Sequence, residues 1–95
     1  MARTPLNEQQ IAEGLAALDG WRADSTTAIS KEYAFKDHIA ALGFVVKVAA
    51  VAETIDHHPT IEWTYNRVRM VLNTHDAGGV TERDFQLAAR IDALA

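Results

Sequence analysis

The apolar residues between positions 61 and 72 alternate with polar ones, but their parity changes halfway. They are first odd and then even: Ile61, Trp63 and Tyr65, followed by Val68, Met70 and Leu72. One continuous strand cannot keep both sets on a single face, because the side-chain period of a strand is two. Either a bulge or a turn near Asn66 and Arg67 would reset the phase, and we favour the turn. This segment therefore predicts two short strands joined as a hairpin.

A long apolar segment precedes this hairpin and has helical signals at both ends. Asp37 is suited to cap the first turn of a helix, and Pro59 forces the helix to end at or before His58. The helical period predicts an inward face that packs on a sheet: Leu42, Val45, Val46, Ala49, Ala52 and Ile55. His57 and His58 are therefore expected at the C-terminal end of this helix.

The remaining elements follow from shorter signals. Asn7 and Gln10 form a capping-box pattern for a first helix, which Gly20 ends. Residues 21–23 and 29–35 alternate as a second hairpin, and Thr81 with Asp84 begins a last helix. The order α-β-β-α-β-β-α predicts one α+β domain over residues 1–95, a two-layer sandwich with a four-stranded antiparallel sheet and helices on one face.

Composition limits the possible functions. The chain has 95 residues, 48% of them hydrophobic and 23% charged, with a formal net charge of -4 and no cysteine. Disulfides, thiolate metal sites and cysteine nucleophiles are thereby excluded. Basic residues alternate with acidic ones, which argues against direct nucleic-acid binding. With neither a signal-peptide pattern nor a long uncharged apolar run, we expect a cytoplasmic protein that does not contact a membrane.

Three of the four histidines fall in two polar segments. His57 and His58 stand side by side before Pro59, and His75 lies in the turn-forming sequence Thr-His-Asp-Ala-Gly-Gly. Imidazoles titrate near neutral pH, so such a group suits proton transfer. If the helix continues to His57, Glu53 lies one turn earlier and can hydrogen-bond that imidazole.

Simpler explanations exist for each histidine. A histidine at a helix C-terminus stabilises the helix dipole by about 0.3–1 kcal/mol when protonated, and a polar turn residue needs no function. Zinc, iron or copper would also accept imidazole ligands. However, His57 and His58 are consecutive, so their side chains on a helix diverge by about 100° instead of sharing a face. We therefore predict proton-transfer chemistry and no metal.

These segments resemble the pterin-4a-carbinolamine dehydratase family over nearly the whole chain. The resemblance is carried by Glu-x-x-Asp-His-His-Pro at 53–59, by Tyr-Asn-x-Val at 65–68 and by the run from Leu72 through Thr-His-Asp to Thr-Glu-Arg-Asp at 81–84. It implies a hydro-lyase that dehydrates 4a-hydroxytetrahydropterin to the quinonoid dihydropterin in tetrahydropterin recycling. It also implies a homodimer or homotetramer and no cofactor.

The resemblance assigns roles residue by residue. His57 and His75 would be the acid/base pair, His58 would orient the pterin, and Glu53 would be their acidic partner. Further positions would line or support the substrate pocket: Asp56, Pro59, Thr74, Asp76, Arg83 and Asp84. Animal members have an aromatic residue two positions after the proline, where this chain has Ile61. The sequence leaves open whether Ile61 or Trp63 lines the pocket.

A protein-binding module is the alternative function. Some animal members of the family also bind a transcription factor, and a scaffold can keep a pocket that it no longer uses. A module of that kind would need neither the three imidazoles nor Glu53, and this chain has all four. We therefore expect an enzyme, with a coactivator or assembly-factor role as the second possibility.

Overall fold

The computed structural model describes residues 4–95 and contains one antiparallel sheet with three α-helices. The strands are β1 (Arg22–Asp24), β2 (Ala28–Ala34), β3 (Thr60–Thr64) and β4 (Arg67–Leu72), and their order in the sheet is β1-β2-β4-β3. The helices are α1 (Glu8–Ala16), α2 (His38–Ile55) and α3 (Glu82–Asp92). The predicted α+β sandwich and its element order are confirmed.

The segment between positions 61 and 72, where the apolar residues change parity, forms a hairpin, as predicted. β3 and β4 pair with Ile61 opposite Met70 and Trp63 opposite Val68, so the odd and even apolar sets lie on one face. The turn lies at Tyr65 and Asn66, and Tyr65 adopts a positive φ of 48°. The side chain of Asn66 donates a hydrogen bond to the Phe35 carbonyl at 2.7 Å, which ties the turn to the end of β2.

The core lies between the sheet and the helices. Its sheet side is formed by residues that face each other across β2 and β4: Ile29 with Leu72, and Tyr33 with Val68. α3 contributes Leu87, Ala88 and Ile91, all completely buried. Both predicted capping boxes are present: Asn7 with Gln10 begins α1, and Thr81 with Asp84 begins α3.

The predicted inward face of α2 is wrong at three positions. The helix buries Ala41, Phe44, Val48 and Ala52, whereas Leu42, Val46 and Ala49 are exposed. α2 is apolar on nearly all sides, so its sequence period does not single out one buried stripe. The buried stripe is decided by the fit of the helix against the sheet and α3.

The exposed side of α2 forms a stripe that we call the α2 apolar stripe: Ile39, Leu42 and Val46. These side chains are 71%, 41% and 58% exposed. By length and composition α2 is also the described helix that could cross a membrane, although its other side packs in the core. The face of the sheet that points away from the helices, in contrast, carries ion pairs. Arg69 lies there between Asp24, at 2.7 Å, and Glu62, at 2.9 Å.

The end of α3 is attached to the sheet through one carboxylate, that of Asp92. It accepts hydrogen bonds from Trp21 Nε1 at 3.1 Å, from Lys31 Nζ at 2.9 Å and from the Tyr33 hydroxyl. Tyr33 is itself buried between the rings of Trp21 and Phe44. Burial raises the pKa of the Tyr33 phenol, and the hydrogen bond to Asp92 and its charge raise it further.

This raised pKa predicts a loss of stability in alkaline solution. The phenol ionises more easily in the unfolded chain, near its reference pKa of about 10, than in the folded protein. The contribution of Tyr33 is therefore complete below that pH and falls as the pH rises toward the folded-state pKa. We expect the urea midpoint of the wild type to fall from about pH 10 upward more steeply than that of Tyr33→Phe. An equal slope in the two proteins would contradict this, and Tyr65→Phe, which removes an exposed phenol, is the control.

Candidate active site

The site is built where α2 ends. Its last helical residue is Ile55. Asp56 takes a left-handed conformation with φ 51° and ψ 45°, so both His57 and His58 lie beyond the helix. Arg83 holds this end in place, because its Nη2 donates to the carbonyl of Ile55 at 3.1 Å and to that of Asp56 at 2.8 Å. Arg83 therefore satisfies carbonyls that a helix C-terminus leaves without a partner.

The early end of α2 changes which imidazole meets Glu53. The expected pair of Glu53 with His57 is wrong, because it required the helix to continue to His57. Instead Glu53 Oε1 lies 2.7 Å from Nε2 of His58. Both side chains are exposed, so the pair contributes little to stability, about 0–1 kcal/mol at most. In this arrangement Nε2 of the His58 ring points toward Glu53.

His57 has a buried partner instead. Its Nε2 lies 2.6 Å from Oδ1 of Asp84, and the two side chains are 8% and 0% exposed. The other carboxylate oxygen, Oδ2, accepts the Thr81 backbone N–H at 2.9 Å and the Thr74 hydroxyl at 2.9 Å. Asp84 thus performs its capping-box function with one oxygen and holds the His57 ring with the other.

These bonds assign the proton on the His57 ring. A carboxylate only accepts hydrogen bonds, so Nε2 of His57 is the donor to Asp84 and carries a proton. The other ring nitrogen, Nδ1, forms no hydrogen bond within residues 4–95. Since no side-chain nitrogen or oxygen in this range is both buried and without a partner, Nδ1 reaches the protein surface. His57 therefore presents Nδ1 to the surface as its free ring nitrogen.

A short relay of hydroxyls supports Asp84 from inside. The Thr74 hydroxyl donates to Asp84, so it accepts a hydrogen bond from the Thr81 hydroxyl, 2.6 Å away. Thr74 is 1% exposed and Thr81 is 5% exposed. Thr74 ends the segment after β4, and Thr81 begins α3. The chain of hydrogen bonds from Thr81 through Thr74 and Asp84 to His57 therefore connects these two segments to the end of α2.

His75 stands directly after Thr74, in a single 3-10 turn at His75–Ala77. The turn is closed by Gly78, at φ 74°, and by a β-bridge from Thr74 to Gly79. A Cβ on Gly79 would lie 3.0 Å from the Thr26 carbonyl oxygen, so a larger residue there would require this loop to shift by a few tenths of an ångström. The imidazole of His75 and the carboxylate of Asp76 are exposed. Thr74 therefore connects the His75 turn to the network that holds His57.

The fourth histidine and Trp63 lie at the other end of α2. The His38 ring stacks on Trp63 with centroids 4.6 Å apart, and both side chains bond to the Tyr65 carbonyl, from Nδ1 of His38 at 2.7 Å and Nε1 of Trp63 at 2.8 Å. α2 has 18 residues, so it separates this stack from His57 and His58 by about 27 Å along its axis. Trp63 is committed to that stack, while Ile61 and Pro59 are half-buried nearer to His58.

A groove beside His57 was not predicted from the sequence. It has a volume of about 440 Å³ and is lined by Ile55, His57, Arg83, Gln86, Ala89 and Arg90. The positions on α3 recur every three or four residues, a spacing that indicates one helical face. The sequence offers no signal that α2 ends against this face.

Metal ligation finds no support in the described part of the chain. Within residues 4–95, no three side chains of histidine, aspartate or glutamate are grouped so that they could hold a metal ion. The carboxylate nearest to each of His57 and His58 is already bonded to the ring nitrogen Nε2. The arrangement favours acid/base use of the free ring nitrogens.

Comparisons with known proteins identify a family for this chain. The family model described as pterin 4 alpha carbinolamine dehydratase matches residues 4–94. Relatives from Brucella ovis and Brucella canis are 46% identical over all of this chain and 99% of their own length, and their assignment as pterin-4-alpha-carbinolamine dehydratases is itself provisional.

Two solved structures have the same fold. The crystal structure of a transcriptional coactivator/pterin dehydratase from Brucella melitensis superposes with a TM-score of 0.91 at 43% identity, covering 97% of this chain and 99% of the other. A pterin dehydratase-like protein identified as a RuBisCO assembly factor in the alpha-carboxysome gives a TM-score of 0.69 at 28% identity, covering 80% and 89%. The family-model match, the identity to the relatives and the shared fold place this chain in the pterin-4a-carbinolamine dehydratase family.

Proposed function

We propose that this protein dehydrates 4a-hydroxytetrahydropterin to the quinonoid dihydropterin by histidine acid/base catalysis. The observation that carries the proposal is how the histidine ring nitrogens are bonded. His57 and His58 each bond a carboxylate through Nε2 and leave Nδ1 without a partner among residues 4–95. His75 stands one residue from Thr74, which is bonded to the carboxylate that holds His57. Ordered imidazoles with a free nitrogen are what this reaction needs.

The reaction removes a hydroxyl group from C4a of the pterin and a proton from N5. One imidazole takes the N5 proton while a protonated imidazole gives its proton to the departing oxygen, so that one water leaves and the protein keeps the same number of protons. His57 and His75 perform these two steps in our proposal, and His58, held by Glu53, orients the pterin ring. An imidazole has a reference pKa of about 6.5, so both protonation states are available near neutral pH.

The remaining predicted site residues divide into two groups by burial. Asp56, Pro59, Asp76 and Arg83 have surface to offer a ligand, and we propose that they contact the pterin. Thr74 and Asp84 are completely bonded within the core, so we propose that they act through His57 as positioning residues. This refines the sequence-based expectation that all six line or support one pocket.

Single substitutions test the two proposed catalytic histidines. We expect His57→Ala or His75→Ala to lower kcat for 4a-hydroxytetrahydropterin by about 10² to 10⁴, the usual contribution of a general acid or base. The matched control is His38→Ala, because His38 is the fourth histidine and lies at the opposite end of α2. The measurement is stopped-flow absorbance of substrate decay. Unchanged rates in both site variants would contradict the assignment.

The substitution Asp84→Asn tests the positioning role. The oxygen of the new amide would stay with its two donors, the Thr81 N–H and the Thr74 hydroxyl, so the NH₂ group would face His57. His57 Nε2 must then accept, and the ring proton moves to Nδ1. We expect a loss in kcat of about 10² to 10⁴, as for the wrong tautomer in a protease triad. Nitrogen-15 NMR of the His57 ring reports the tautomer directly, and an unchanged tautomer would contradict the role.

A second function, protein binding, is favoured by one observation, the α2 apolar stripe. Its three large side chains are exposed, which is unusual for a chain with no partner on that face. Of the two related structures, one is named a coactivator as well as a dehydratase, and the other an assembly factor. If folded wild type does not accelerate dehydration, the protein-binding role becomes the better explanation.

The same stripe supports the expected homodimer or homotetramer. We propose that, where no other protein occupies the stripe, a second copy of the chain covers Ile39, Leu42 and Val46, with the small residues Gly43 and Ala50 beside them allowing close approach. A side chain at Gly43 would meet nothing within 4 Å, so this side of the helix is open.

The oligomer is tested with a charge placed in the stripe. We expect Val46→Glu to shift the protein to a smaller species in light scattering coupled to size-exclusion chromatography, because a carboxylate cannot be buried there without a partner. Gln9→Glu, which adds the same charge on exposed α1, is the control. A wild type that is already monomeric would contradict the proposal.

A further inference from the structure

The groove beside His57 contains two guanidinium groups and no acidic side chain. Of its six lining residues, Arg83 and Arg90 are positively charged, and none is aspartate or glutamate. Within residues 4–95, neither arginine has a carboxylate within 4.0 Å, whereas Arg67 and Arg69 on the sheet are both paired with acids. The groove is thus a locally positive surface on a chain with a net charge of -4.

Both arginines retain hydrogen-bond donors for a ligand. Arg83 uses Nη2 for the carbonyls of Ile55 and Asp56, so its Nε and Nη1 groups keep three N–H donors. Arg90 makes no side-chain hydrogen bond to any other residue of 4–95, and its side chain is exposed. A position in the last turn of α3 suits a cation because of the helix dipole, but that effect does not explain why Arg83 shares the groove.

The two arginines define a direction along the groove. Arg83 and Arg90 are seven residues apart on α3, so they lie on one face and about 10 Å apart along the helix axis. His57 and Arg83 stand at one end, and Arg90 at the other, with Gln86 and Ala89 between them. A ligand whose reacting ring lies at His57 could extend a side chain along α3 to Arg90.

We propose that this groove selects pterins with an anionic side chain, a carboxylate or a phosphate, whose charge is bound by Arg90 with help from Arg83. The inference rests on the dehydratase function proposed above. A guanidinium binds either anion with two parallel hydrogen bonds, and these bonds are stronger than neutral ones. A neutral polyol side chain would leave the arginines without a charged partner. Arg90 is therefore a specificity residue, which has no role in proton transfer.

The test compares 4a-hydroxytetrahydropterins that differ only in the side chain: a neutral polyol, a carboxylate and a phosphate. We expect wild type to prefer one or both anionic forms, and Arg90→Gln to lower kcat/KM for the preferred form by about three- to tenfold. The rate with the neutral form should stay within about twofold, because Arg90 does not touch the ring. Arg22→Gln, which removes an exposed arginine on β1 that does not line the groove, should change neither rate.

The outcomes separate this inference from the reaction itself. If wild type accelerates all three substrates equally, or if Arg90→Gln slows neutral and anionic forms alike, the groove does not select charge although the dehydratase function stands. If no substrate is accelerated, the dehydratase function fails. In that case, binding of the stable 7,8-dihydropterins with the same side chains, measured by fluorescence, tests whether the groove selects an anionic side chain. Tighter binding of an anionic form, weakened by Arg90→Gln and by added salt, supports it, and equal binding overturns it.

Discussion

The buried carboxylate of Asp84 is the interaction on which the candidate site depends. It lies at 0% exposure and accepts three hydrogen bonds, from Thr81, Thr74 and His57, which come from three separate segments of the chain. A buried charge is tolerated only when it is fully bonded, so loss of any of these donors is costly. Folding of the α3 N-terminus, closure of the His75 turn and orientation of the His57 ring are consequently coupled in one network.

A second carboxylate, Asp92, anchors the other end of α3 to the sheet. It gathers donors from Trp21, Lys31 and Tyr33, while Asp84 gathers donors at the site. α3 is thus held at both ends by hydrogen bonds and between them by completely buried Leu87 and Ile91. This rigid helix forms one wall of the groove whose other wall is the end of α2. A site built on rigid elements keeps its side chains oriented without a bound ligand.

Much of the fold could be predicted because local signals agreed. The capping boxes, the parity change at 61–72 and Pro59 each define an element boundary, and all three are found near the expected positions. The inward face of α2 could not be predicted, because an all-round apolar helix has no single buried stripe in its sequence. The pair of Glu53 with His57 was wrong for a related reason: Asp56 adopts a left-handed conformation that ends the helix early, and aspartate adopts it only when the context favours it.

The sequence by itself determined the element order, the sheet and the set of histidines, since each of these depends on residues close together in the chain. Tertiary structure alone decided which carboxylate each histidine meets. Asp84 is 27 positions from His57 and meets it because α3 packs beside the end of α2, where Arg83 bonds the last carbonyls. Glu53 is five positions from His58 and meets it because Asp56 ends the helix early. The ring nitrogen that remains free on His57 is likewise a property of the fold, because it follows from a hydrogen bond that no sequence spacing specifies.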